Sequence, residues 1–573
     1  MDNNSFLPTT HKEVNQRGWD TLDVVLISGD SYIDSPYIGA AVIGRVLEKA
    51  GYRVGIIAQP DITSPEDISR LGEPRLFWGV TGGSVDSMVA NYTASRKKRR
   101  RDDYTPGGVN DRRPNRAVIA YTNLIQHYFK GTTPIVLGGI EASLRRVAHY
   151  DFWDDAIRRS ILFNAKADYL LYGMAERSVV QLANARKKQE DVTRIRGICY
   201  ITKEPPEGYL ELPSYEHVSR DKNTFIDMFH AFYKNNEPLN ARGLIQQHGG
   251  RYLVQNRPAE YLSQAEMDAV YALPYQRAQH PYYEAQGAVR ALETIRFSIN
   301  SQHGCYGECN FCSIAVHEGR TVHWRSEKSI IAEAEAIAQL PDFKGYILDV
   351  GGPTANMYGF ECPIKLKDGP CRDKRCIYPI VCGALKPNHK KQIALLKRLR
   401  KIPGVKKVFV ASGIRYDLVL EDKQHGDAYL KEISRHHVSG QLKVAPEHSE
   451  DGVLSTMGKP GHADLLAFKR KFDQYSREAG KDQYLTYYLI AAHPGCTDTD
   501  MRRLKGFASR ELHISPEQVQ LFTPLPSTYS ALMYHTGMDP FTREPIFVEK
   551  DTGRRERQKR IATQKPGRRK RKR

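Results

Sequence analysis

The chain has 573 residues, of which 40% are hydrophobic and 26% are charged, and its formal net charge is +19. No uncharged apolar stretch approaches the roughly 20 residues that span a bilayer, so we expect no transmembrane helix and no membrane partner. The start, MDNNSFLPTTHKEVNQRGWD, lacks the apolar centre of a secretory signal, which predicts a cytoplasmic protein. Cysteines stay reduced there, so clustered cysteines indicate metal or redox chemistry rather than disulfides.

Near-continuous apolar runs alternate with helical patterns in the first 201 residues. Residues 38–51 are predicted to form a helix, which Gly51 ends. The predicted strands are 22–28, 53–59, 75–82, 133–139 and 167–173. Apolar strands separated by helices predict a parallel sheet that is covered on both faces, so we assign 1–201 to an α/β, Rossmann-like domain. Several of these strands end in Gly or Asp, at the edge where open α/β sheets bind ligands, although the glycines also suit tight turns.

A second series of strands and helices follows. Residues 202–290 are rich in Pro, Tyr and charged side chains and are predicted to connect two domains. The next predicted strands are 295–300, 344–352, 406–414, 440–447, 484–495 and 518–526, with helices between them. Six βα units are too few for an eight-stranded barrel, so we predict a partial (β/α)6 barrel over 291–530.

The first strand of this series leads into a loop that concentrates the thiols. The segment SQHGCYGECNFCSIAVHEGRTVHWRS, residues 301–326 and here called the cysteine loop, holds Cys305, Cys309 and Cys312. Three thiolates from one short loop suit an iron–sulfur cube and leave its fourth iron without a protein ligand. A structural zinc site is the alternative, with His303 or His317 as the fourth ligand.

CYGECNFC (305–312) resembles the CxxxCxΦC signature of the radical S-adenosylmethionine (SAM) superfamily, with Phe311 in the aromatic position. The resemblance implies that Cys305, Cys309 and Cys312 hold a 4Fe-4S cluster that cleaves SAM reductively and yields a 5′-deoxyadenosyl radical. It also implies a flavodoxin- or ferredoxin-like reductant as partner. DVGGPT (349–354) resembles the motif that contacts the SAM amino group, except that Pro353 replaces the usual acidic residue. The SAM contacts that the resemblance implies are Phe311, Gly351, Gly352, Ser412, Arg415 and Glu447.

Over roughly residues 15–540 the chain resembles the YgiQ-type radical SAM proteins. The resemblance is carried by RGWDTLDVVLISGDSYIDSPYIGAAVIGRVLEKAGYRVGIIAQPD (17–61), KKRRRDDYTPGG (97–108) and GGIEASLRR (138–146). The N-terminal domain of that family is similar to the cobalamin-binding domains of other radical SAM enzymes. This chain lacks the Asp-x-His-x-x-Gly pattern that supplies the lower axial histidine, so cobalamin binding is doubtful on sequence.

Four further cysteines lie in an insert after the second barrel strand, residues 359–388, here called the insert. They are Cys362, Cys371, Cys376 and Cys382. Four thiols in this short stretch predict a ligand set for an auxiliary iron–sulfur cluster or for a zinc ion, and the sequence leaves the choice open, together with no metal at all.

The positive charge is concentrated at the carboxyl end. Residues 554–573 carry 12 Lys or Arg against one Glu. We assign 531–573 to a C-terminal extension with a disordered basic tail. Such a tail is either a solvated end or an electrostatic handle for RNA, ribosomes or an acidic partner.

These observations together predict a radical SAM enzyme of unknown substrate, and the charge favours RNA or a ribosomal protein. One alternative is a SAM-dependent radical methylase or methylthiotransferase. Methylthiotransferases usually carry extra cluster cysteines in the N-terminal domain, where this chain has only Cys199. The other alternative is a non-enzymatic nucleic-acid-binding protein that two zinc sites stabilise. The sequence does not indicate the oligomeric state.

Overall fold

A nine-stranded sheet organises the first half of the protein in the computed structural model, which describes residues 5–564. Five neighbouring strands at one side are parallel, and Val24–Ser28 and Val54–Ala58 are buried along their whole length. In spatial order the strands are Leu210–Leu212, Leu244–His248, Arg251–Gln255, Ile198–Thr202, Tyr169–Leu171, Ile135–Gly138, Phe77–Thr81, Val24–Ser28 and Val54–Ala58. Parallel strands buried on both faces need crossover helices, as the apolar runs predict.

The other side of this sheet comes partly from residues 202–290, which the sequence assigns to a connection. Leu244–His248 and Arg251–Gln255 form an antiparallel hairpin around Gly249 and Gly250. A Gly-Gly pair between two strands is a hairpin signal, and Gly249 has the positive φ, 64°, that such a turn requires. The sheet therefore extends beyond residue 201.

Helices cover both faces of the sheet and connect it to the second half. Those from the first half of the chain are His11–Gln16, Gly39–Lys49, Glu66–Ser69, Ser87–Asn91, Ala117–Tyr128, Gly139–Leu144, Ile161–Ala165, Glu176–Lys188, Tyr215–Val218, Lys222–Lys234, Gln264–Tyr271, Pro281–Glu284 and Ala291–Ile295. Three short antiparallel pairs complete the structure: Ile33–Asp34 with Ala278–Gln279, His149–Asp151 with Ala156–Arg158, and Gln302–His303 with His323–Trp324.

The second half is the predicted partial barrel, with parallel pairing between its strands. The strand segments are Ser298–Asn300, Tyr346–Ile347, Asp349–Gly351, Lys407–Val408, Gln441–Glu447, Tyr484–Ala491 and Gln520–Leu521. Tyr346–Ile347 and Asp349–Gly351 are two parts of one predicted strand, so six strands result. The helices are Ile314–His317, Glu327–Ala338, Pro363–Asp368, Lys390–Leu399, Tyr416–Glu421, Gly426–His436, Asp451–Met457, Ala463–Glu478, Asp498–Arg510, Tyr529–Thr536 and Thr552–Thr563. The parallel sheet and this barrel confirm the predicted α/β fold class.

The end of the described chain differs from the predicted disordered tail. Thr552–Thr563 is a helix, here called the tail helix, and Arg555 on it is only 2% exposed. The Arg555 guanidinium donates to the carbonyl oxygens of Ala94 and Phe522, so it joins the two halves of the protein. The tail helix has no apolar stripe, so buried polar contacts such as these fix it against the rest of the protein. Residues 565–573 of the basic tail lie outside the described residues.

Within residues 5–564, no helix is both long and apolar enough to cross a membrane.

Candidate active site

The cysteine loop begins at the carboxyl end of the first barrel strand and is closed at its base by a short hairpin. Ser298–Asn300 pairs in parallel with Asp349–Gly351, and Gln302–His303 pairs with His323–Trp324. The hairpin brings the two ends of the loop together, and the Cys305 N–H donates to the carbonyl oxygen of Gly319 at 3.3 Å. The carboxyl ends of the strands are the catalytic edge of βα barrels, so the three thiols lie where a reaction centre is expected.

Two of the three sulfurs flank a residue without a side chain. A Cβ at Gly307 would lie 3.2 Å from Cys305 Sγ and 3.7 Å from Cys309 Sγ. The Gly307 N–H donates to Cys305 Sγ at 3.3 Å, and Arg415 Nη1 lies 3.7 Å from Cys309 Sγ. A larger residue at position 307 would therefore fill the space between the thiols. Glycine keeps that space open, and the N–H and guanidinium donors both favour thiolates.

Burial raises the pKa of the Cys312 thiol, and the nearby thiols of Cys309 and Cys305 raise it further. The pKa of Cys305 is also raised, first by burial, although hydrogen bonds from Thr354 and Gly307 oppose the shift. Buried thiols of this kind are poor nucleophiles by themselves and become thiolates when a metal binds them. The loop thus favours metal ligation over free-thiol chemistry.

The donor set fits an iron–sulfur cluster better than a single ion. A tetrahedral zinc ion needs its thiolates about 2.3 Å from one point. Among the described residues no three Cys, His, Asp or Glu side chains converge in this way. An iron–sulfur cube binds each cysteine to a different iron, so its ligands stand apart. The alternative zinc ligands also have other surroundings, because His303 Nε2 lies 2.8 Å from the Tyr271 hydroxyl.

A buried network of charged side chains contacts the cysteine loop. Glu308, between two of the cysteines, lies 3.4 Å from Arg320 Nη1 and 3.5 Å from Lys365 Nζ. Burial opposes ionisation of Glu308, but the charges of Arg320, Lys365 and Arg375 outweigh it and hold its pKa below the usual value. Lys365 belongs to the insert, so the insert is tied directly to the cysteine loop.

A cavity of about 460 Å³ separates the carboxyl edge of the nine-stranded sheet from that of the barrel. The cysteine loop forms part of its wall through His303, His317 and Glu318, and none of the three cysteines is among the lining residues. The polar and glycine residues along the cavity include Asp30, Thr81, Gly83, Gly138, Gly139, Gly173, Glu176, Asn300, His303, His317, Glu318, Asp349, Gly351, Gly352 and Ser412. Both sheets thus contribute their strand ends to one space, as open α/β sheets do at ligand sites.

Three of the residues that the sequence implies for SAM meet at this cavity: Gly351, Gly352 and Ser412. Ser412 donates its hydroxyl to the Asp349 carboxylate, which fixes the side chain at the strand end. A Cβ at Gly352 would lie 2.7 Å from the carbonyl oxygen of Gln302, so only glycine fits there. These residues offer backbone groups and a hydroxyl to a ligand.

The other three implied residues point elsewhere. Phe311 packs against the large apolar core, with its ring edge-on to His493 at 6.3 Å. Arg415 pairs with Asp417 and contacts Cys309, so it touches the thiol instead of the cavity. Glu447 is 6% exposed and lies 3.7 Å from Lys459 Nζ, and none of these three residues is part of the described cavity wall.

The four cysteines of the insert do not form one group. Cys362 and Cys376 are buried together beside Tyr306, and the Cys382 N–H donates to the carbonyl oxygen of Cys376 at 2.8 Å. Cys371 follows Pro370, whose carbonyl oxygen accepts from Asn240 at 3.1 Å. No three of these thiols converge on one metal position among the described residues. The auxiliary cluster or zinc ion therefore stays a prediction.

Sequence reasoning missed the acidic side chains of the cavity wall. Glu176 follows the predicted strand 167–173, and Glu318 lies six residues after Cys312 in the cysteine loop. Glu176 could have been found from its position after a predicted strand, because ligands bind at the ends of strands in open α/β sheets. Glu308 and Lys365 were missed too, because an ion pair between distant segments has no sequence pattern.

The comparisons with known proteins identify the family of this chain. Residues 6–298 match the radical SAM N-terminal family. A UPF0313 protein of Fusobacterium nucleatum is 56% identical over 98% of this chain and 99% of its own length. A UPF0313 protein of Thermotoga petrophila is 46% identical over 99% of this chain and 100% of its own length.

Among solved structures, the radical SAM methyltransferase TsrM of Kitasatospora setae, with cobalamin and a [4Fe-4S] cluster bound, covers 88% of this chain and 77% of its own. Its TM-score is 0.48 and its identity is 16%, so the likeness assigns no residue or ligand here. The expectation that cobalamin binding is doubtful rests only on the missing histidine pattern and finds no support in these comparisons. The relatives and the matched family show that the chain belongs to the UPF0313 family of radical SAM proteins.

Proposed function

We propose that this protein is a radical SAM enzyme in which Cys305, Cys309 and Cys312 hold a 4Fe-4S cluster. The observation that carries the proposal is the cysteine loop itself. It starts at the catalytic edge of the barrel, and two of its sulfurs flank the bare Cα of Gly307. Thr354 Oγ1, 3.5 Å from Cys305 Sγ, follows the cavity residues Gly352 and Pro353 in the chain. The cysteine loop thus contacts the strand end that lines the cavity.

When bound, such a cluster supplies the electron that cleaves SAM and generates a 5′-deoxyadenosyl radical. The residues of this chain do the binding and positioning. Arg415 and the Gly307 N–H donate to two of the sulfurs and stabilise them as thiolates. Gly351, Gly352 and Ser412 are proposed to bind SAM on the cavity wall. A flavodoxin- or ferredoxin-like protein is the proposed electron donor.

The described contacts favour this proposal over a methylthiotransferase and over a protein built on zinc sites, and a radical methylase stays an alternative. A methylthiotransferase needs an additional cluster, and Cys199, the cysteine of the nine-stranded sheet, is fully buried in its strand. A protein built on two zinc sites needs converged ligands, which the described residues do not provide.

Iron content after anaerobic reconstitution tests the proposal. We expect the wild-type protein to be brown, to absorb near 400 nm and to carry about four irons per chain from this loop. Cys309→Ala should lose that iron and absorbance, whereas Cys199→Ala, a control with a thiol removed elsewhere, should retain both. A colourless protein that binds zinc in place of iron would overturn the proposal.

A further inference from the structure

The charge of the cavity is opposite to the charge of the protein. The chain carries 85 Lys and Arg and only 66 Asp and Glu. None of the Lys or Arg in residues 5–564 lines the cavity, whereas four acids do: Asp30, Glu176, Glu318 and Asp349. An electronegative space in a basic protein favours a cationic ligand and disfavours a phosphate-bearing one.

Two of the four acids are already neutralised or fully bonded. Asp30 lies 2.8 Å from Arg113 Nη2, in a pair that is fully buried. Asp349 accepts from the N–H groups of Ala411 and Ser412 at 2.8 and 3.2 Å. These two acids hold the structure of the cavity wall, and they need no ligand.

Among the described residues, neither Glu176 nor Glu318 forms an ion pair with a Lys or Arg. Glu176 is 7% exposed, and its Oε2 has no hydrogen-bond partner among the described residues. Glu318 accepts one N–H, from Gly304 at 3.2 Å, and its nearest basic group is His303 Nδ1 at 3.8 Å. A buried carboxyl oxygen without a partner destabilises the folded protein, so Glu176 Oε2 indicates a partner supplied by a ligand, and the partly exposed Glu318 lines the same cavity.

The surroundings of the two carboxyls define what else the ligand offers. Much of the remaining wall is apolar and includes Phe77, Ile140, Leu171 and Val270. Two further polar atoms without a partner among the described residues, Asn300 Oδ1 and His317 Nδ1, belong to cavity residues. Ligand sites of this kind combine apolar walls with a few polar groups that fix orientation.

We infer that this cavity binds the substrate, an apolar small molecule that carries an amine, and that Glu176 and Glu318 bind its ammonium group. The inference rests on the proposed function, because it assigns the ligand next to the SAM residues as the substrate. The volume of about 460 Å³ accommodates a small molecule and excludes a folded RNA. The RNA or ribosomal substrate expected from net charge stays a separate prediction.

Two fluorescent probes with the same apolar body test the charge preference. Dansylcadaverine ends in a primary amine, and N-dansyl-6-aminohexanoate ends in a carboxylate. Each is titrated into the anaerobically reconstituted full-length protein, with and without SAM, and the blue shift of the dansyl emission reports entry into an apolar site. We expect the amine probe to bind at least tenfold more tightly than the carboxylate probe, and SAM not to displace it.

Three variants assign the preference to the two carboxyls. Glu176→Gln and Glu318→Gln should each weaken binding of the amine probe about tenfold and leave the carboxylate probe unchanged or tighter. Glu190→Gln, whose side chain is 60% exposed just beyond the helix that begins at Glu176, is the matched control and should change nothing. The melting temperature of Glu176→Gln should not fall, because burial raises the pKa of this carboxyl and the folded protein already disfavours its charged form.

The outcomes separate this inference from the proposed function. Equal binding of the two probes, binding of neither, or a Glu176→Gln variant that behaves like Glu190→Gln would overturn the inference even if the same preparation cleaves SAM. Displacement of the amine probe by SAM would overturn it too, since the carboxyls would then serve SAM. Conversely, selective amine binding by a preparation that holds no iron would retain the amine site and refute the radical SAM assignment.

Discussion

The link between the insert and the cysteine loop yields a prediction that can be worked through from the contacts. The Lys365 side chain is 2% exposed, its Nζ lies 3.5 Å from Glu308 Oε1, and it also donates to the carbonyl oxygen of Arg320. Lys365→Met removes both interactions. Breaking a buried ion pair costs about 3–5 kcal/mol. Arg320 still pairs with Glu308 in the variant, so we expect the lower end, about 3 kcal/mol.

Hydrogen exchange measures this loss locally. The insert helix Pro363–Asp368 is closed by the Leu366 N–H donating to Cys362 and the Gly369 N–H donating to Lys365. A loss of about 3 kcal/mol in local stability should accelerate exchange of these amides about a hundredfold. Lys367→Met, an exposed lysine on the same helix, is the control and should leave exchange unchanged. Equal exchange rates in the two variants would refute the idea that Lys365 holds the insert against the loop.

Three further predictions concern the loop, the cavity and the tail helix. Gly307→Val should reduce iron content by at least half, because a Cβ at this position would lie 3.2 Å from the nearest thiol sulfur. The control is Gly452→Ala, where a Cβ meets nothing within 4 Å, and it should bind iron normally. Equal iron in the two variants would contradict this prediction. Burial raises the pKa of Glu318 from 4.5 to about 7, so the folded state keeps the Glu318 proton to higher pH than the unfolded state does. The free energy of unfolding therefore falls as the pH rises from about 4.5 to about 7. Glu318→Gln should therefore gain about 2–3 kcal/mol relative to wild type between pH 4 and pH 8, and parallel stability curves would argue against it. Arg555→Met should lower the free energy of unfolding by about 3 kcal/mol in a thermal scan, because it leaves two buried carbonyl oxygens unpaired. Arg557→Met, at a side chain that is 57% exposed, is the control and should have little effect. Similar melting temperatures of the two variants would contradict this role of Arg555.

The parts of the fold that follow from local patterns could be predicted from the sequence. Strands such as Val24–Ser28 and Val54–Ala58 are buried on both faces, and such strands show as unbroken apolar runs. The helix Glu327–Ala338 begins directly after Ser326, a residue type that favours helix starts, and Ser326 accepts from the Ser329 N–H at 3.1 Å. Within these elements, backbone pairing and side-chain burial agree.

Elements without an apolar period were missed. Leu244–His248 and Arg251–Gln255 contain glutamine, histidine and arginine, so their pattern is weak and only the Gly249–Gly250 turn marks them. The tail helix buries Arg555 and Gln558. Its helical form depends on partners far away in the chain, such as the Ala492 N–H that donates to Gln558. A charged segment carries no sign of such partners.

The residues of the candidate site also differ in how far the sequence predicts their positions. The positions of Gly351, Gly352 and Ser412 on the cavity follow from strand ends that a barrel gathers on one edge. The placement of Glu447 does not, because the strand Gln441–Glu447 changes register between Val444 and Glu447, where φ is +69°. A bulge redirects a side chain, and nothing in the sequence marks it.

Formation of 5′-deoxyadenosine shows directly whether the cysteine loop holds a radical SAM site. The reconstituted protein is incubated anaerobically with dithionite and SAM, and the product is quantified by chromatography and mass spectrometry beside Cys309→Ala and Cys199→Ala. We expect 5′-deoxyadenosine from the wild type and from Cys199→Ala, and none above background from Cys309→Ala. Product from Cys309→Ala at the wild-type rate, or none from a wild-type protein that carries its full iron, would contradict this expectation.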